Sequence, residues 1–134
     1  MVGVLQPRFR LLIADDDRGV REAFRAIFEP WFELIEAESG DEAVDVIEQV
    51  RIDIALLDIH MPQRTGLETL RVLKRFHADA PGILVTADAD DDLRRDAVAA
   101  RAYRVLDKPV RKSELVSTVD SALRSAYREF TGLS

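Results

Sequence analysis

Five short apolar runs, each followed by a longer amphipathic stretch, limit what this chain can fold into more than any other feature. The runs span 9–14, 32–38, 52–57, 82–86 and 103–106, and their length and content suit strands. After the first, Val20, Ala23, Phe24, Ile27 and Phe28 recur at the spacing of one helix face, and Pro30 stops the helix. Ser39 with Glu42, and Thr65 with Glu68, have capping-box spacing, in which hydroxyl and carboxylate each satisfy a free backbone N–H. They open helices that run to about Val50 and His77. Residues 88–92 supply aspartates suited to a helix N-terminus, ahead of a weaker helix to Arg101. After Lys108-Pro109 a last helix turns Leu115, Val119, Ala122 and Ala126 inward and ends near Arg128.

Strands separated by helices cannot be hairpins. They run parallel, with right-handed crossovers and helices on both faces. Five such units are too few for an eight-fold barrel, so the expected fold is α/β, a doubly wound five-stranded parallel sheet of (βα)5 form. The 134 residues allow one domain, expected over 9–128, with a lead at 1–8 and a tail or linker start at 129–134. The absence of cysteine excludes a disulfide scaffold, a thiolate metal site and a cysteine nucleophile. A net charge of −6 makes the domain a poor general partner for nucleic acid or anionic membrane. The apolar stretch Leu11-Leu12-Ile13-Ala14 is too short for a signal-peptide core or a membrane span, and the expected location is the cytoplasm.

Open α/β sheets bind ligands at the carboxyl ends of their strands. There this chain places Asp15 and Asp16 after strand one, Asp58 after strand three, Thr86 after strand four and Lys108 after strand five. Asp16, Asp58, Thr86 and Lys108 are spaced 42, 28 and 22 residues apart, each close to one βα unit with its loops. Like charges 4 Å apart repel by about 4 kcal/mol at an effective dielectric of 20. A hard divalent cation relieves that repulsion, and Mg²⁺ suits carboxylates, water and a phosphoryl oxygen. With a mobile ammonium from Lys108 and a neutral hydroxyl from Thr86, the set reads as a phosphoryl-transfer pocket.

Four segments then resemble the receiver domain of two-component response regulators. They are Leu-Leu-Ile-Ala-Asp15-Asp16-Asp17, Ala-Leu-Leu-Asp58-Ile-His-Met61-Pro62-Gln-Arg-Thr-Gly66, Ile-Leu-Val-Thr86-Ala87 and Leu-Asp-Lys108-Pro109. The resemblance covers about 9–126 and implies the flavodoxin-like strand order 2-1-3-4-5. It implies that Asp58 accepts a phosphoryl group from a sensor histidine kinase or phosphotransfer protein. Mg²⁺, or Mn²⁺ in its place, would be held by Asp16, Asp58 and the His60 backbone carbonyl, with Asp15 acting mainly through a metal-bound water. Thr86 would hydrogen-bond the phosphoryl group, Lys108 would pair with it, Ala87 would leave room for it, and Lys108-Pro109 would be cis. Such a domain assists its own phosphorylation and dephosphorylation without acting on a separate substrate.

Each position alone also fits a plainer role: a helix cap at Asp15, Asp16 or Asp17, a strand-end hydroxyl at Thr86, a solvated Lys108. Their order along one fold favours the site. A pseudo-receiver, binding partners without phosphorylation, is the alternative, and it predicts a broken acidic site. A nucleotide or flavin domain lacks its phosphate-cradling motif, since no glycine follows the first strand until Gly19. The chain departs from the family at Val105, where an aromatic residue is usual, and at Arg101, which is often glycine. The resemblance implies that the positions of His60 and Asp88 look over the phosphoryl group, and His77 is given no role. Residues 93–112 hold seven basic residues against Asp96 and Asp107. The face of the fourth helix, fifth strand and fifth helix is therefore expected to meet an output partner or a second copy, against the plainer reading of solvated arginines.

Overall fold

The computed structural model describes residues 8–133. Strands form at the apolar runs: β1 (Arg10–Ala14), β2 (Glu33–Ala37), β3 (Ile54–Asp58), β4 (Gly82–Thr86) and β5 (Arg104–Asp107). All pair in parallel, in the order β2-β1-β3-β4-β5. Every residue of β3 and β4 is buried, as strands covered on both faces must be. The helices are α1 (Arg18–Phe28), α2 (Gly40–Gln49), α3 (Gly66–Phe76), α4 (Asp91–Ala99) and α5 (Lys112–Ala126).

Side chains alternate across the pleat and build two cores. On one face Leu12, Leu57 and Leu84 pack with Ile47 of α2, Leu70 of α3 and Ala97 of α4. On the other, Leu11, Leu56 and Ile83 pack with Phe24 and Phe28 of α1 and Leu115 and Val119 of α5. The expected lead at 1–8 lies outside the described residues but for Arg8, which donates to the carbonyls of Glu29 and Phe32.

Several expectations need correction. Helix α1 buries only Phe24 and Phe28 fully, while Val20 and Ile27 are half-buried and Ala23 is exposed. The box at Thr65 is complete, but at Ser39 the hydroxyl caps the Glu42 N–H and Glu42 does not reciprocate. Helix α4 starts at the Asp90 cap and ends at Ala99, so Arg101 lies beyond it with φ 64°. Helix α5 ends at Ala126, itself only half-buried, and the chain then folds back: Leu133 N–H donates to Asp120 and Phe130 meets the Phe9 ring.

Candidate functional site

Parallel strands put their carboxyl ends on one rim, and the expected residues arrive there from separate elements. Asp15 follows β1, Asp58 is the last residue of β3, Thr86 the last of β4, and Lys108 follows β5. One carboxylate oxygen each from Asp15, Asp16 and Asp58 lies within 4.8 Å of the others, and no imidazole joins them. Asp15 and Asp58 are buried and Asp16 is exposed, so the cluster is open on one side.

Local hydrogen bonds aim these groups. Asp15 Oδ1 accepts from the Asp17 N–H at 2.9 Å, while the Asp15 carbonyl accepts from Arg21. Asp17, by contrast, caps α1 through the N–H groups of Gly19 and Val20 and stays out of the cluster. Gly66 opens α3 directly against the end of β3: a Cβ there would stand 2.3 Å from the Asp58 carbonyl oxygen. Only a residue without a side chain permits that approach.

Lys108 provides the counter-charge. Its Nζ lies 2.8 Å from Asp15 Oδ2 and 3.3 Å from Asp58 Oδ1. The Lys108 N–H donates to the Thr86 carbonyl, and the Lys108-Pro109 peptide is cis. Burial opposes the Lys108 charge, but the Asp15 bond and charge, then those of Asp58, hold its ammonium above the ordinary lysine value. At Asp58, burial first and the Asp15 charge second push the carboxyl above the usual range, against the pull of Lys108. One ammonium among three carboxylates leaves net negative charge at the rim. Such a set of oxygen donors suits a hard divalent cation.

Thr86 is fully buried, and its Oγ1 accepts from the Asp88 N–H at 3.2 Å. The hydroxyl proton therefore remains free to donate. His60 is exposed, two residues beyond Asp58, and Ala87 and Asp88 are exposed beside Thr86.

A match to the response regulator receiver domain covers residues 11–120. The chain is a receiver domain of the two-component response regulator family. It is 33% identical to the chemotaxis protein CheY of Halobacterium salinarum over 115 residues, covering 85% of this chain and 96% of that protein. It is 32% identical to the transcriptional regulatory protein CpxR of Escherichia coli over 88% of this chain, but spans only half the length of that relative. A CheY-like receiver domain structure from Methanospirillum hungatei superposes with a TM-score of 0.88 at 26% identity, over 92% of this chain and 100% of the other.

Sequence reasoning missed an apolar groove of about 540 Å³ beside the receiver's acidic rim. Val20, Ala23 and Phe24 of α1 face Pro109 and Val110 across it, with Lys108 at its edge. The signal was present in the α1 stripe, which carries more apolar residues than the core takes in. Val105 packs on the α4 side of the sheet, and Tyr103, two residues before it, on the α5 side. The basic stretch is partly neutralised, since Arg94 pairs with Asp107 and Arg95 with Asp92. His77 ends α3, its Nε2 2.8 Å from the Ile47 carbonyl. Among the described residues, no helix is long and apolar enough to cross a membrane.

Proposed function

We propose that this receiver domain takes a phosphoryl group onto Asp58 from a histidine kinase or phosphotransfer protein and passes the signal on by a change of conformation. The observation that carries this reading is the convergence of Asp15, Asp16 and Asp58 within 4.8 Å, with Lys108 bonded to two of them. Asp16 and Asp58, with the His60 carbonyl, would hold Mg²⁺ or Mn²⁺, and Asp15 would act mainly through water. When bound, the cation neutralises charge on the phosphoryl oxygens.

The chain's own residues do the rest. A carboxylate oxygen of Asp58 attacks phosphorus while the bond to the donor imidazole nitrogen breaks, and that nitrogen keeps the electron pair. Raised basicity at Asp58 makes the oxygen a better nucleophile. Lys108 pairs with a phosphoryl oxygen, and Thr86 turns its free proton to another. Attack by water on phosphorus later restores the Asp58 carboxylate. The groove beside Lys108 gives a phosphodonor protein an apolar surface on the same rim. Phosphorylation acts as a switch only through contacts that differ between two conformers. Val105 has no ring to swing, so the signal leaves through the Thr86–Asp92 segment, where β4 passes into α4, and the face of α4, β5 and α5, toward an output partner or a second copy. The phosphoaccepting unit is 9–128, working in the cytoplasm.

The test is to incubate the protein with acetyl phosphate or phosphoramidate, with and without Mg²⁺, and measure intact mass. A phosphate adduct that needs Mg²⁺ and vanishes in Asp58→Asn is expected. Absence of any adduct would favour a phosphorylation-independent binding module.

A further inference from the structure

The far edge of the sheet carries an open pocket of about 370 Å³. Its walls are the segments entering β4 and β5 and the C-terminal ends of α3 and α5, so it lies at the opposite ends of the strands from Asp58. Lys74 and Arg101 bring two cations to it, Tyr103 and Ser125 bring hydroxyls, and Asp79 is its only acid.

The two cations are placed differently. Lys74 is half-buried and its Nζ donates to the Ala80 carbonyl at 2.8 Å. Carbonyl ends of helices gather at this edge, and a cation there answers them. The Ala80 carbonyl lies in the turn that leads into β4 and engages one of the three Lys74 N–H donors. Arg101 is exposed, and among the described residues its guanidinium has neither a carboxylate partner nor an acceptor. Its backbone sits at φ 64°, which costs a residue with a Cβ about 1–2 kcal/mol. That conformation ends α4, with the Arg101 N–H donating to the Val98 carbonyl and the Ala102 N–H to the Ala97 carbonyl, so the backbone is accounted for and the side chain alone is left without a partner. Burial, then the Arg101 charge, also hold the Lys74 ammonium below its ordinary value, and Asp79 opposes them less.

We infer that this pocket binds a phosphate-class oxyanion, as the free ion or as the phosphate of a small monoester, between the Arg101 guanidinium and Lys74 Nζ. The guanidinium fork matches two phosphoryl oxygens, and the ammonium serves as a point charge. Tyr103 and Ser125 can each donate one further bond. The pocket is larger than a bare phosphate needs, which leaves room for the organic part of a monoester.

The test is an amide NMR titration of the full chain in EDTA at constant ionic strength, with sodium phosphate in one arm and adenosine monophosphate in the other. Saturable shifts are expected at Ala80, Ala102, Tyr103 and Ser125, with none from sodium chloride at the same ionic strength. Arg101→Gly relieves the backbone and should fold well, yet weaken binding at least about tenfold, as loss of a charge-assisted pair implies. Lys74→Gln should weaken it similarly. Binding of both probes assigns recognition to the phosphoryl group, binding of adenosine monophosphate alone to monoesters, and binding of phosphate alone to the free ion, and each supports the inference. Three results would overturn it: no saturable shift with either probe, shifts confined to the surroundings of Lys108, or undiminished affinity in Arg101→Gly.

Discussion

Replacing Asp58 by Asn should make the metal-free protein more stable, although it removes an ion pair. Lys108 Nζ stands 3.3 Å from Asp58 Oδ1, an attraction of about 5 kcal/mol at an effective dielectric of 20. Asp15, within 4.8 Å, repels Asp58 by about 3.5 kcal/mol on the same scale. Asp16 adds a smaller repulsion, because it is exposed and screened. Attraction and repulsion nearly cancel, and the cost of keeping a carboxylate that is only 7% exposed decides the sign. Asn keeps the shape without the charge, and Lys108 retains Asp15. The expected gain is about 1–2 kcal/mol in unfolding free energy, read by urea denaturation at pH 7 in EDTA. The folded pKa of Asp58 lies above its ordinary 3.8. Between those two values the native state holds more protons than the unfolded one, so stability falls as pH rises through the window. The penalty is complete above the folded value, and the Asn variant escapes it. Saturating Mg²⁺ should shrink the difference by stabilising the wild type. An Asn variant less stable than wild type in EDTA, or a difference that Mg²⁺ leaves unchanged, would refute this reasoning.

Other outcomes follow from particular contacts. Arg101→Gly should raise stability by about 0.5–1 kcal/mol, because relief of the left-handed backbone exceeds the added freedom of the unfolded chain; urea midpoints at equal m value check it. Thr118 Oγ1 is buried without a hydrogen-bond partner, so Thr118→Val should gain about 1 kcal/mol, seen as a higher melting temperature. Burial opposes the Glu36 charge, but the bonds and charges of Arg25 and Arg21 hold its carboxyl below the ordinary 4.5. The stability this lends is present above pH 4.5 and is lost as pH falls through the folded value. Glu36→Gln should therefore cost about 1 kcal/mol at pH 7 and nothing at acid pH, in parallel denaturation curves.

The strands and the rim residues were legible because each rests on a local signal. Apolar runs such as Leu11–Ala14 are too short for buried helices, and the ends of parallel strands must share one edge. That rule alone brings Asp58 to Lys108, fifty residues away in the chain. Boundaries were less legible where two signals overlapped: several aspartates before α4 could cap it, and only Asp90 does. Contacts between distant polar groups left no trace in periodicity. Asp53 is buried, accepts from the Arg10 N–H and pairs with Arg51, and its carbonyl accepts from the Tyr127 hydroxyl. These bonds tie the entry of β3 to the end of α5, where the sequence shows only an aspartate beside an apolar run. The fold-back of Phe130 onto Phe9 was hidden for the same reason.

Asp58 is the residue proposed to carry the phosphoryl group. An acyl phosphate is reduced by borohydride to an alcohol, so a phosphorylated aspartate becomes homoserine and can be located by tandem mass spectrometry of peptides. After treatment with acetyl phosphate and Mg²⁺, homoserine is predicted at position 58 alone. Homoserine at Asp15 or Asp16, or none at any position in a protein that has gained the mass of a phosphate, would contradict it.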